Sequence, residues 1–192
     1  MPVLILGLVV FLGAHSVRIL ADDWRTRQIA RLGELKWKGL WSVVSAIGLV
    51  LTVYGYGLAR TQPVMLWTPP VWARHLAGLL TLLAFVLLAA AYVRGNHLKA
   101  RFGHPMVLAV KAWALAHLVA NGTLNAVVLF GAFLVWAVAD FAAARRRDRA
   151  MGTVYPAGAL SRDAITVAAG LLGWAVFAFL LHGWWIGVRP FG

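Results

Sequence analysis

The sequence predicts an all-α integral membrane bundle of about six transmembrane helices, on three observations. The 192 residues are 62% hydrophobic and only 12% charged, with a mean hydropathy of +0.80. Soluble domains are nearer half apolar and a quarter charged. The apolar residues fall in six runs, 3–20, 39–58, 72–93, 105–120, 123–141 and 164–186, suited in length to a bilayer core about 30 Å thick. The cations cluster between those runs, and fifteen of the eighteen Lys and Arg residues share one side if the chain weaves back and forth. By the positive-inside rule that side is cytoplasmic and both termini are periplasmic. The net charge of +12 then speaks for anionic lipid as a partner and against nucleic acid. The segments between runs are too short to fold alone, so residues 1–192 read as a single domain. Cysteine is absent, which excludes disulfides, thiolate ligands and a cysteine nucleophile.

Each run has its own signals. Run 3–20 lacks a positive segment before it and carries Arg18 after it, which fits a retained helix better than a cleaved signal. Residues 21–38 are polar and hold Arg25, Arg27, Arg31, Lys36 and Lys38, and Trp37 and Trp41 read as interfacial anchors of the second run. A short Pro-rich loop containing Trp67 leads to the third run, and the basic loop 94–103 holds His97. The fourth run opens on His104-Pro105 and closes on Asn121-Gly122, residues suited to the start and stop of a helix. A turn without charge joins it to the fifth run. Arg145, Arg146, Arg147 and Arg149 then begin a polar linker to Asp163, and the sixth run ends at Trp184-Trp185.

An ionisable side chain at membrane depth is costly and marks a functional site by default. His75, His97, His104 and His182 fall at or near the ends of runs and read as interfacial or packing residues. His15 and His117 do not. Counting helical rise from Val3 and Pro105 puts both roughly 18 Å deep from opposite faces, within about 6 Å of a common level. Two readings are open: a pair of ligands for one metal or haem iron, or two histidines each hydrogen-bonded across a helix interface. Asn121 and Ala114 share the His117 face, and alanines at 112, 114, 116 and 120 leave room for a flat macrocycle. Arg18, one turn from His15, stands where a haem propionate wants a cation, or snorkels to the interface. No Asp, Glu or Cys lies at that depth to complete a bare metal shell, whereas haem supplies four nitrogens itself and asks for two ligands. Asp140, the one carboxylate within a run, is expected to pair with Arg145.

The segments Gly13-Ala14-His15-Ser16-Val17-Arg18, Lys36-Trp37-Lys38-Gly39-Leu40-Trp41, Gly103-His104-Pro105-Met106, Trp113-Ala114-Leu115-Ala116-His117-Leu118 with Asn121-Gly122, and Gly131-Ala132-Phe133-Leu134-Val135-Trp136 together resemble the NnrU family over essentially the whole chain. The resemblance implies a bacterial inner-membrane protein linked to denitrification, supporting the nitrite and nitric oxide reductase system by haem handling, sensing or assembly. The same pattern is similar to the membrane part of zeta-carotene isomerase, a haem b enzyme. Its haem-ligating histidines fall, by motif, on His15 and His117, so the resemblance implies haem b held by that pair. It also implies the alternative function, a haem-dependent cis–trans isomerase of a lipophilic polyene. Ala114 stands where that enzyme has a cysteine, which removes the thiolate of a ligand exchange. His104-Pro105 alone resembles membrane methyltransferases of the isoprenylcysteine type, which use S-adenosylmethionine, and gives a distant third reading.

The charge asymmetry makes the topology testable. A reporter that works only outside the cytoplasm should be active when fused after Gly192 and silent when fused near Arg147. The opposite pattern at the C-terminus would mean that one of the six runs does not cross.

Overall fold

A computed structural model describes residues 1–191. Pro2 occupies the first turn of α1 (Pro2–Leu20), where a missing N–H costs nothing. The polar segment after it is itself helical: α2 (Asp22–Leu32) begins with Asp22 and Asp23 and has Arg31 in its last turn, complementing the helix dipole at both ends. Gly33, at φ 81°, turns the chain straight into α3 (Glu34–Arg60). Then come α4 (Val71–Tyr92), the short α5 (His97–Phe102), α6 (Pro105–Ala120) and α7 (Leu124–Met151). The last span consists of α8 (Leu160–Val176), a π-helical turn (Phe177–Leu181) and α9 (His182–Ile186).

Five helical stretches are long and apolar enough to cross a membrane, and α6 is a shorter apolar sixth. The chain is therefore a multi-pass membrane protein with the expected helix count. Several boundaries differ from expectation. Residues 21–38 hold α2, an amphipathic helix. α3 begins five residues before the expected run, and α7 continues through Arg145–Arg149 to Met151. Charged residues extend a helix readily once it leaves the bilayer, because they are good helix formers, so hydropathy alone marks the membrane exit and not the helix end.

The helices pack as a row, α3–α1–α7–α6–α4–α8, each touching the next. The α1–α3 pair is the tightest. A Cβ at Gly7 would strike the backbone at Thr52, one at Gly48 the backbone of Phe11, and one at Gly55 the backbone of Leu4. Without a hydrophobic force between helices in lipid, such close approach through small residues supplies the packing. On the side away from the arginines, the 61–70 loop folds over the α6–α7 turn. Leu66 N–H donates to Gly122 O (2.7 Å) and Leu124 N–H to Val64 O (2.9 Å). Any side chain at Gly122 would run into the Trp67 carbonyl. On the same side Arg60 donates to Ile186 O (3.0 Å), which ties α9 to the end of α3. One shared core, Leu4, Leu8, Ala114, Ala126, Leu129 and Phe130, joins α1, α6 and α7.

These contacts give a contrast of two glycines on one helix. Gly48→Leu should separate α1 from α3 and lower the thermal midpoint in detergent, a cost of about 1–3 kcal/mol or more for overpacking. Gly39→Leu, where nothing lies within 4 Å of the added carbon, should leave it nearly unchanged.

Candidate functional site

His15 and His117 are set in the same way by their own helices. His15 Nδ1 lies 2.7 Å from Phe11 O, and His117 Nδ1 lies 2.8 Å from Trp113 O. A carbonyl only accepts, so in each ring Nδ1 carries the proton, and Nε2 of the neutral imidazole keeps its lone pair. A backbone carbonyl on Nδ1 is the common way to orient a metal-binding histidine. His15 leans on Phe11, ring centroids 4.4 Å apart. His117 leans on Trp113 at 5.3 Å and stacks on Phe130 at 4.5 Å. Asn121 Nδ2 donates to His117 O (2.8 Å), so the Asn of the helix stop braces the last turn that carries the histidine.

Helix α7 is the wall common to both. Phe133 touches Phe11 of α1 (5.8 Å) and Trp113 of α6 (5.4 Å), so one ring bridges the two histidine-bearing helices. His15 meets α7 at Trp136 (6.1 Å, edge-on) and His117 meets it at Phe130. Six residues on α7 separate those positions, roughly 9 Å of helical rise. The stagger is larger than a count from the membrane faces gives. α6 has 16 residues, about 24 Å of rise, too short to reach both faces of a 30 Å core. Side chains lean toward the N-terminus of their helix. α1 and α6 run in opposite directions, so this lean draws the two imidazoles toward each other.

Other residues expected at the site divide. Ala114 is fully buried in the shared core beside His117. Arg18 is exposed, its carbonyl accepts from Arg147 (3.4 Å), and its guanidinium has no acidic partner among the described residues. Asp140 does not pair with Arg145, against the expectation from the sequence. Arg145 turns instead to Asp148, 3.4 Å away on the next turn. Lys111 sets its ammonium over the Phe141 ring at 4.1 Å.

Two placements were not visible in the sequence reading. Trp136 Nε1 is buried without a hydrogen-bond partner, an orphan donor on the ring that faces His15. His182 begins α9 in the last span, and its ring meets Phe177 at 5.8 Å, edge-on. The π-helical turn just before it adds a residue to the helical phase, a common feature of functional positions. A 3.6-residue periodicity read through that turn points His182 elsewhere. Its Nδ1 is held 2.7 Å from Val188 O, again leaving Nε2 free.

The remaining histidines lie elsewhere. His75 is exposed on α4. His97 opens α5, which Asn96 caps, and binds Asp163 twice, from its backbone N–H (2.8 Å) and its Nδ1 (2.6 Å). His104 Nε2 lies 2.9 Å from Asp148 Oδ2, which also accepts from Tyr155 (3.0 Å). This cluster latches the linker onto the ends of α6 and α7, and the Tyr155 ring rests on Gly103. Burial, then the hydrogen bond to Asp148 and its negative charge, push the Tyr155 phenol above its ordinary range. Asp148→Ala should therefore let Tyr155 ionise at lower pH than in the wild type. The check is the phenolate absorbance change near Tyr155, taken against Tyr155→Phe. An unchanged titration would mean that Asp148 does not hold the phenol.

No cluster of three or more His, Asp or Glu side chains able to hold a bare metal ion occurs among the described residues. No curated protein and no solved structure matches the chain significantly. A family model described as NnrU protein matches residues 3–190. The match takes in α6 and α7 whole and α1 from Val3 on, and with them the anchored histidine pair and its aromatic wall; the chain belongs to the NnrU family.

Proposed function

We propose that this is a haem b protein of the bacterial inner membrane that supports nitrite and nitric oxide reduction, with both termini in the periplasm. The observation that carries the reading is the matched state of His15 and His117. Each presents a free Nε2 fixed by a carbonyl on Nδ1, and each borders the same aromatic face of α7. Membership of the NnrU family supports the link to denitrification at the level of the family.

The residues fit the group chemically. His15 and His117 would hold the iron. Phe130, Phe133, Phe11 and Trp113 form an apolar aromatic lining, and such a lining sets potential by excluding water. The buried Trp136 N–H is a donor in need of an acceptor, and Arg18 is a free cation one turn from His15, so the two suit a carboxylate on the basic side. Bound haem with two imidazole ligands supplies one-electron chemistry and has no open position. The chain's own contribution is to orient two neutral imidazoles and brace them with Phe11 O, Trp113 O and Asn121; His117 is covered by aromatic rings, whereas His15 is exposed on the bundle surface.

His104 serves in the latch with Asp148 and Tyr155, so the methyltransferase reading loses its one matching residue. Isomerisation of a polyene needs a ligand to leave the iron, and Ala114 offers no thiolate in exchange.

Purified protein should show a six-coordinate, low-spin haem spectrum. His15→Ala and His117→Ala should each abolish or convert it, with His75→Ala as the unaffected control. Full low-spin haem in both of the first two variants would refute the ligand assignment. Cells without the protein should reduce nitrite or nitric oxide more slowly, while the purified protein turns over neither. Turnover of a 15-cis polyene by reduced, haem-loaded protein would move the chain into the isomerase class.

A further inference from the structure

Where α2 folds back on α3 at the basic end of the bundle, the chain forms an open groove of about 590 Å³. Its inner end is His15 and its wall is α3, with α2 as a roof contributing Arg25 and Ile29. Trp37 is only 5% exposed and stacks on Trp41 at 4.2 Å with the rings 19° from parallel. Trp24 of α2 closes on both, edge to face on Trp37. Trp41 also donates to Ala14 O (2.9 Å), which fixes the aromatic wall to α1. The expected interfacial anchors Trp37 and Trp41 are thus packed inward.

Two hydroxyls in this pocket behave unlike the others in the membrane. Ser16, Thr52 and Thr166 each donate to the carbonyl four residues back on their own helix. Ser42 and Ser45 line the pocket and make no such bond among the described residues. They are three residues apart on α3 and so share a face, about 5–6 Å between Cβ atoms. Ser42 is exposed and Ser45 half-buried, so both hydroxyls are open to a ligand. The rim is electrically balanced, because Arg25 faces Asp22 (3.6 Å) and Lys38 faces Glu34 (2.7 Å). An anionic headgroup would compete with Asp22 and Glu34 for these two cations.

We propose that this pocket binds the headgroup of a lipid-soluble quinone. A quinone ring is planar, neutral and bears two carbonyl acceptors, which match an aromatic wall, a balanced rim and two free hydroxyls one helical turn apart. Its prenyl tail suits a pocket reached from the bilayer. The binding does not depend on haem. If His15 carries the iron as proposed above, the ring lies beside the haem ligand, and that adjacency alone rests on the haem reading.

The test is calorimetric titration of decylubiquinone into the full chain in phosphatidylcholine nanodiscs. Wild type should bind saturably at one site. Ser42→Ala with Ser45→Ala should weaken binding about tenfold or more, the loss of one to two neutral hydrogen bonds. Ser45→Phe should abolish it by filling the space. His117→Ala should bind as the wild type does even where it has lost its haem, which separates failure of the haem reading from failure of this one. Thermal midpoints equal to the wild type's show that the serine variants remain folded. No saturable binding by the wild type, or wild-type binding by both serine variants, overturns the proposal. So does displacement of the quinone by phosphatidylglycerol, which would mark an anionic lipid site instead.

Discussion

At membrane depth there is no water to satisfy a polar atom, and this constraint organises the interior of the protein. Its buried polar side chains mostly turn back on their own helices. Ser16 bonds Leu12 O, Thr52 bonds Gly48 O, Asn121 bonds His117 O, and Thr166 bonds Arg162 O. His15 and His117 obey the same rule with Nδ1, but an imidazole has a second nitrogen that the same helix cannot reach. The rule therefore leaves a small remainder: Nε2 of each histidine, Nε1 of Trp136, Oδ1 of Asn125, and the more open hydroxyls of Ser42 and Ser45. These atoms lie on α1, α3, α6 and α7. A chain under this constraint keeps such atoms where something else completes them.

Packing decides where that remainder stands. α1 sits against α3 through Gly7, Gly48 and Gly55 with backbone on backbone, so His15 is held at one height relative to Trp41, Ser42 and Ser45. On its other side Phe11 and Phe133 set α1 against α7. α6 meets the opposite edge of the same ring through Trp113. Phe133 is thus the spacer between the two histidine-bearing helices. Its stiffness, more than any polar contact, fixes their separation.

Much of this was legible in the sequence, for identifiable reasons. Six apolar runs and their intervening cations are long-range compositional signals, and they survive ignorance of side-chain contacts. His15 and His117 stood out because ionisable groups are rare in such runs. The depth count from the membrane faces missed by a few ångströms, because it assumed that α6 reaches both faces. α2 was read only as a polar stretch. Its amphipathic character appears once Trp24 is seen against Trp37 and Trp41, contacts that no local pattern encodes. The partner of Arg145 was misplaced by eight residues, since helix α7 continues past the bilayer and brings Asp148, not Asp140, onto the same face. His182 was hidden by the π-helical turn, which breaks the periodicity used to assign faces.

The two sides of the bundle are tied by different means, and the difference bears on the site between them. On the side away from the arginines the ties are backbone carbonyls: Gly122 with Leu66 and Trp67, Val64 with Leu124, and Ile186 with Arg60. On the arginine side they are carboxylates. Asp148 gathers His104, Tyr155 and Arg145, and Asp163 takes both the ring and the backbone N–H of His97. Only six acidic residues stand among eighteen Lys and Arg, and two of the six serve as these latches. Each latch pins the linker that leads into the last span. The acidic residues are therefore placed where they hold the start of α8 to α5 and the linker to the ends of α6 and α7, while most of the cations stay free for the lipid surface.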